Sequence, residues 1–216
     1  MPTPLFLLPR TERRLSAFGP FLDGQSIPES YLFFGYDHFQ KRGMAPKSNL
    51  DPQQRGSWYS LLSRLGQQFN RYISRGGAYG GDFDQAMWGY HLHKECDLVI
   101  VYTGRLALPL IWMRKIKLVP RLPTILITNG LLEKLEHFTN KDYLDIALDN
   151  LRQFRLILTP SQMEIDLLGR TFDLVNTAYL PSGVDTEYFK PLKTVPKTYD
   201  YDIISIGADK HRDYVT

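Results

Sequence analysis

The sequence predicts an α/β fold in which one parallel sheet carries helices on both faces. Short apolar segments alternate with segments of helical period over most of the chain, an order typical of parallel strands joined by helices. The runs Asp97–Tyr102 and Pro123–Thr128 are continuously apolar, as strands are when both faces of their sheet are buried. Right-handed crossovers then place helices in layers on either side of the sheet.

The first part of the chain carries the weakest pattern. Residues 1–29 are rich in proline, serine and arginine and show no clear period, so we predict an irregular lead-in there. The first strand is expected at Tyr31–Gly35, where an aromatic run ends in a glycine. A helical turn over 39–44, closed at Gly43, and a polar loop over 46–56 are predicted to follow.

A helical period begins after Ser57, a candidate N-cap, and the pair Gly76–Gly77 is expected to end that helix. Asp82, at the end of a glycine-dense stretch, is predicted to cap a second helix. His91 and His93 fall near the end of this second helix, where the helix dipole favours a protonated imidazole.

The later elements continue the alternation. Helices are predicted over 106–117, 141–153 and 161–168, and strands over 97–102, 123–128, 155–159 and 173–180. We place Ser161 as the N-cap of the last helix and Gly169 as its end.

Composition narrows the class of protein. The chain has 216 residues, and 43% of them are hydrophobic, which is enough to bury a core. Its net charge is only +3 and it contains no long basic run, so we expect no nucleic-acid partner. The apolar stretch Leu106–Met113 is too short to span a bilayer. The single cysteine, Cys96, cannot form an intrachain disulfide and is expected to be a small buried hydrophobe in a cytoplasmic protein. The alternative is a metal site in which Glu95 or Asp97 completes a ligand set with Cys96, His91 and His93, and we prefer the buried hydrophobe.

The chain changes character after Leu180. Residues 181–199 hold three prolines and no helical period, which is linker composition. The apolar segment 200–206, ending at Gly207, is predicted to be the first strand of a second domain that is truncated at Thr216. We therefore expect one domain over 30–180, a linker over 181–199 and the start of another domain over 200–216.

The segment 181–191, PSGVDTEYFKP, resembles the interdomain signature of family 4 glycosyltransferases. That signature is an Asn- or Ser-Gly-Val-Asp followed by a Phe and a Pro, and then by the first strand of the second domain. Residues 76–83, 128–131 and 159–161 resemble loops of the same enzymes. The resemblance implies the GT-B fold, in which two Rossmann-like domains face each other across a cleft. The N-terminal domain holds the acceptor and the C-terminal domain holds a nucleotide-sugar.

What the resemblance implies about function is specific. It implies hexosyl transfer from a nucleotide-sugar, as substrate, to a glycan or lipid-linked acceptor, without a metal or other cofactor. The implied site residues are Gly80, Gly81, Asp82, Asn129, Gly130 and Ser161 for the acceptor, Gly183 and Asp185 at the hinge, and Gly207, Lys210 and Arg212 for the donor. We assign no catalytic residue: many members of the family carry a His where this chain has Asn129, and an amide cannot act as a base at neutral pH.

Several alternatives stay open. The glycines at 80 and 81 are equally suited to linking two helices, and Ser161 to capping a helix. Arg114, Lys115 and Lys117 suit a helix C-terminus, and the alternative is weak contact with the inner face of a membrane. For the whole chain, the alternative to an enzyme is a non-catalytic module that binds an acceptor or a partner protein. A nicotinamide site is disfavoured because the glycine stretch does not follow a strand.

Overall fold

The computed structural model describes residues 2–25, 30–51, 59–77 and 81–183. Contacts divide the chain into Met1–Gly183 and Val184–Thr216, and every described residue belongs to the first of these units. Two predictions for the first unit, the N-cap at Ser57 and the site residue Gly80, lie outside the described residues. So do all predictions for the second unit, which concern the rest of the linker, the strand at 200–206, and Asp185, Gly207, Lys210 and Arg212.

The described residues form a Rossmann-like α/β fold built on one sheet of six parallel strands, which confirms the predicted fold class. The strands are β1 (Pro4–Leu7), β2 (Lys47–Ser48), β3 (Leu98–Tyr102), β4 (Thr124–Ile127), β5 (Leu156–Thr159) and β6 (Thr177–Tyr179). Their order across the sheet is β2-β1-β3-β4-β5-β6.

Helices flank the sheet. They are α1 (Glu12–Leu22), α2 (Tyr36–Lys41), α3 (Tyr59–Arg75), α4 (Phe83–Met87), α5 (Gly104–Lys115), α6 (Leu131–Glu136), α7 (Lys141–Arg152) and α8 (Gln162–Phe172), with 3₁₀ turns at Ser30–Phe33 and Tyr90–Glu95. Helix α5 is buried along nearly its whole length, as its almost uninterrupted apolar sequence requires. In the part of the chain that is described, no helix is long and apolar enough to cross a bilayer.

The alternation of side chains along the strands produces two cores. In β1, Leu5 and Leu7 enter an aliphatic core shared with helices α3 to α8. Phe6 and the following Leu8 enter a smaller, aromatic core with Phe18 of α1. Because successive strand residues point to opposite faces, a strand that is apolar at every position has both of its faces covered.

The prediction for the N-terminus is wrong. The segment taken as an irregular lead-in contains β1 and α1, and β1 pairs directly with β3 in the middle of the sheet. The segment predicted as the first strand is instead a 3₁₀ turn that ends in Phe34 and Gly35. Its Phe33 is fully buried against Phe18, with ring centroids 5.1 Å apart, so tertiary packing overrides the β-propensity of the aromatic run.

Smaller corrections concern boundaries. The loop predicted over 46–56 contains the two residues of β2. Helix α8 continues through Gly169 and ends three residues later, because Asp173, in the left-handed conformation, is its C-cap. Of the strand predicted over 173–180, only Thr177–Tyr179 pair with β5.

Candidate functional site

The strand order creates a topological switch point between β1 and β3, and the space outside the carboxyl ends of these two strands is called the crevice below. The chain runs from β1 outward to β2 and then returns to the other side of β1 as β3. The connections that leave β1 and β3 therefore diverge, and ligands of open α/β sheets bind at such a switch point, outside the carboxyl ends of the strands. Here those ends are continued by Pro9–Thr11 and by Thr103–Arg105.

Thr103 has a backbone conformation that is rare for a β-branched residue. Its φ is 81° and its ψ is 141°, and it is the N-cap of α5, with Oγ1 accepting a hydrogen bond from the Arg105 N–H at 3.4 Å. The Thr103 N–H donates to the Ile127 carbonyl at 2.7 Å, which fixes this geometry. Such a conformation costs on the order of 1–3 kcal/mol and is typical of ligand sites. The outlier therefore marks the β3 end of the crevice.

A chain of hydrogen bonds joins the two strand ends. The Arg10 N–H donates to Gln85 Oε1 at 2.7 Å, and Gln85 Nε2 donates to Asp82 Oδ2 at 3.4 Å. Arg105 Nη2 in turn donates to Asp82 Oδ1 at 2.9 Å, in an ion pair whose Arg side chain is 57% exposed and whose Asp side chain is 19% exposed. Asp82, a predicted site residue, thus lies at the centre of a charged cluster.

The wall of the crevice on the β1 side is aromatic and cationic. The Arg10 guanidinium lies 3.0 Å from the centre of the Trp88 ring, a cation–π contact with a buried indole. Further along α1, Arg14 donates to the carbonyls of Pro9 and Leu32. Burial lowers the pKa of Arg14 below its ordinary value.

Gly81 has a structural role that explains its residue type. Its φ is +74°, and a Cβ there would lie 2.4 Å from the Arg105 carbonyl oxygen and 2.7 Å from Pro109 Cδ. The next N–H, of Asp82, donates to the same Arg105 carbonyl at 2.8 Å. Only glycine allows the backbone to approach the first turn of α5 so closely, and this approach brings the Asp82 carboxylate to Arg105.

The predicted residues at the ends of β4 and β5 form a separate arrangement around Glu164. Gly130, with a φ of 74°, is the N-cap of α6 but supplies no side chain to cap it. The buried Glu164 does so instead, because its Oε1 accepts from the N–H groups of Leu131 and Leu132 at 2.6 and 3.1 Å. Its Oε2 accepts from Thr159 Oγ1 at 2.5 Å. The carboxylate occupies the amide donors that a bound anion would use.

Ser161 and Asn129 differ in their environments. Ser161 Oγ accepts from the Glu164 N–H at 3.2 Å, so it caps α8, the alternative that the sequence left open. Asn129 is exposed beside Gly130, and Gly183 is exposed at the end of the described residues. The structure therefore brings Gly81 and Asp82 to the crevice and places Asn129, Gly130 and Ser161 farther along the same edge of the sheet.

Sequence reasoning missed Arg10, Gln85 and Arg105. Arg105 could have been found, because it follows a predicted buried strand and a glycine. Arg10 could not, since β1 was not predicted. Glu164 follows Ser161 in a Ser-x-x-Glu pattern, which predicts a local capping box, whereas its carboxylate in fact reaches the neighbouring helix.

Two further predictions concern titratable groups before β3. The prediction of a protonated His93 is wrong: the side chain is 1% exposed, and burial, followed by the charges of Arg114 and His91, lowers its pKa to about 4. Cys96 is buried, as predicted, and burial raises the pKa of its thiol to about 11. Within the described ranges, no group of three His, Cys, Asp or Glu residues is placed to hold a metal ion.

The molecule is thus a Rossmann-like α/β domain with a charged cluster at its topological switch point. No protein-family model, curated protein or solved structure matches the chain. The resemblance to family 4 glycosyltransferases therefore stays a prediction.

Proposed function

We propose that this chain contains the acceptor-binding domain of a nucleotide-sugar-dependent glycosyltransferase. The observation that carries the proposal is the pair Asp82 and Arg105 at the mouth of the β1/β3 crevice. Sugar hydroxyl groups both donate and accept hydrogen bonds, so a carboxylate acceptor beside a guanidinium donor is suited to bind them. The pattern of residues 181–191 supports the same function from the sequence.

In the proposed reaction, an acceptor hydroxyl oxygen forms a bond to the anomeric carbon of the donor sugar while the bond from that carbon to the diphosphate breaks. The hydroxyl proton passes to an oxygen of the departing diphosphate, which leaves with the electron pair of the broken bond. Asp82 and Arg105 hold and orient the acceptor, and an oriented acceptor lowers the entropic part of the barrier. The donor would bind to the second domain through Gly207, Lys210 and Arg212, where basic groups stabilise the leaving diphosphate.

A lipid-linked acceptor would require the domain to reach a membrane surface. The end of α5 and the turn after it offer such a surface, since the exposed Lys115 and Lys117 alternate with Ile116 and Leu118, which are 56% and 37% exposed. This surface lies one length of α5, about 18 Å, from the crevice, so the head group of the acceptor would have to extend that far from the bilayer. Basic and apolar side chains in alternation favour weak, salt-sensitive contact with an anionic bilayer. This part of the proposal locates the protein at the cytoplasmic face of a membrane.

The test is saturation-transfer NMR on the full 216-residue chain with a panel of neutral mono- and oligosaccharides. At least one saccharide should show transfer, and Asp82→Asn and Arg105→Gln should each weaken its binding about tenfold, the loss of one charge-assisted hydrogen bond. Arg170→Gln, an exposed arginine on α8, is the matched control. No saccharide binding, or equal binding by all variants, would contradict the proposal and favour a module that binds a partner protein.

A further inference from the structure

The opposite edge of the sheet carries a cavity of different chemistry. It has a volume of about 320 Å³ and lies at the amino ends of β4 and β5. Three arginines line it, namely Arg114, Arg121 and Arg155. None of the described residues that line it is acidic.

Arg114 is buried although it carries a full charge. Its side chain lines the cavity, and the residue is 7% exposed. Nη2 donates to the Leu122 carbonyl at 3.0 Å and to Thr124 Oγ1 at 2.5 Å, while the buried Nε has no partner within the described structure. No ion pair between described residues involves this arginine. The guanidinium carbon lies 5.4 Å from the centre of the Phe154 ring, a cation–π contact that compensates only part of the charge. A desolvated guanidinium without a counter-ion is costly, and a bound anion would offset that cost.

The other two arginines add to this positive charge. Gln153 Oε1 accepts from Arg121 Nη1 at 3.0 Å and so holds that guanidinium at the rim. The charge of Arg121, after burial, is the second cause that lowers the pKa of Arg114, to about 10. The C-termini of α5 and α7 lie at the same edge, and each contributes about −0.5 of a charge. Three guanidinium groups outweigh these two helix ends.

We propose that this cavity binds a phosphoryl group of an organic phosphate through Arg114, Arg121 and Arg155. The planar guanidinium fork matches the tetrahedral phosphoryl oxygens in bidentate, charge-assisted hydrogen bonds. The volume exceeds what a bare phosphate needs and falls in the range of small-molecule sites, so the phosphate carries an organic group. The source is either a soluble phosphate ester or a phospholipid headgroup.

The experiment is calorimetry on the full chain in a buffer free of phosphate and sulfate, with phenyl phosphate and glycerol 3-phosphate as ligands. At least one should bind, and the double variant Arg121→Gln/Arg155→Gln should bind about a hundredfold more weakly, about tenfold for each guanidinium removed. Both side chains are exposed, so the variant is expected to fold, and circular dichroism checks this. Arg170→Gln should bind as the unmodified chain does.

A second arm distinguishes the two sources. Sedimentation with phosphatidylcholine vesicles, with and without phosphatidic acid, measures headgroup binding. Retention by the phosphatidic acid vesicles alone that is lost in the double variant assigns the site to a lipid, and calorimetric binding without such retention assigns it to a soluble phosphate. If neither ligand nor vesicle binds, or if the double variant binds as well as the unmodified chain, the proposal is overturned.

Discussion

The two edges of the sheet differ in whether their buried charged and polar groups have hydrogen-bond partners. At the carboxyl edge, Glu164 accepts three hydrogen bonds and Asp82 pairs with Arg105. At the amino edge, Arg114 and His93 are both more than nine-tenths buried, and each has a ring or guanidinium nitrogen without a partner in the described structure. The carboxyl-edge groups bond to one another and hold loops in place, whereas burial of Arg114 and His93 at the amino edge costs free energy. For Arg114, the proposed phosphate ligand would offset that cost.

The largest expected effect concerns the carboxyl edge. Gly81→Val should lower the free energy of unfolding by about 4 kcal/mol, because it combines strain at a positive φ with overpacking against Arg105 and Pro109. Urea denaturation measures the loss. The control is Gly169→Ala in α8, where a Cβ meets nothing within 4 Å and stability should rise by about 0.5–1 kcal/mol. Equal effects of the two substitutions would show that the close approach at Gly81 is unimportant.

The second effect belongs to the amino edge and depends on pH. His93 is neutral when folded, with a pKa of about 4, whereas in the unfolded chain its pKa is near 6.5. The unfolded state therefore binds the proton first, so stability is complete above pH 6.5 and falls as the pH drops toward 4, by about 3 kcal/mol in total.

Unfolding measured between pH 7 and pH 4 tests this assignment. His93→Leu should flatten that part of the pH profile, whereas His38→Gln, at an exposed position of α2, should leave it unchanged. A profile that is the same for His93→Leu and the unmodified chain would rule out His93 as the group responsible.

The third effect returns to the carboxyl edge. Glu164→Gln should cost about 2 kcal/mol, because a neutral amide weakens the bonds to Leu131 and Leu132 and places a donor toward Thr159. Glu136→Gln, exposed at the end of α6, should change stability by less than about 0.5 kcal/mol. Thermal unfolding of the two variants side by side measures the difference, and parity would mean that Glu164 does not cap α6.

The smallest expected effect, at Arg114, tests most directly whether the two edges of the sheet differ. Arg114→Met should change the free energy of unfolding by less than about 1 kcal/mol, because a buried charge without a counter-ion is often replaced by an apolar side chain at no cost. Denaturation in phosphate-free buffer measures this. A loss as large as that for Glu164→Gln would show that Arg114 stabilises the fold as the carboxyl-edge groups do.

Strands β3, β4 and β5 can be predicted from the sequence, because each has a pronounced apolar pattern. Each carries at least three consecutive large aliphatic residues, and none of the residues in these three strands is exposed. Strand β1 is as short as β4 and β5, but it begins with a proline and is followed by a proline- and arginine-rich segment, so its pattern resembles a lead-in. The aromatic residues near Tyr31 have strand propensity, but packing into the aromatic core determines their conformation.

The site was predictable only in part for the same reason. Asp82 could be found from its place after the glycine stretch, but its link to Arg10 through Gln85 depends on the pairing of β1 with β3. The sequence predicts Arg114 only as a basic residue at a helix C-terminus, because the local pattern does not show that its side chain is buried. Both sites are formed by contacts between residues far apart in the chain, and local sequence patterns do not reveal such contacts.

Asn49 affects whether copies of this chain can associate through the β2 edge of the sheet. Its side chain accepts from the Leu8 N–H at 2.9 Å and donates to the Leu8 carbonyl at 3.0 Å, as a neighbouring peptide group would. Strand β2 itself has only two residues, so this amide completes the pairing of β1 where the edge strand stops. An exposed row of unpaired peptide groups is a template for intermolecular association, and a very short edge strand removes it. Beyond β2, the peptide groups of Leu8 are therefore already paired and are not available to a strand of a second copy.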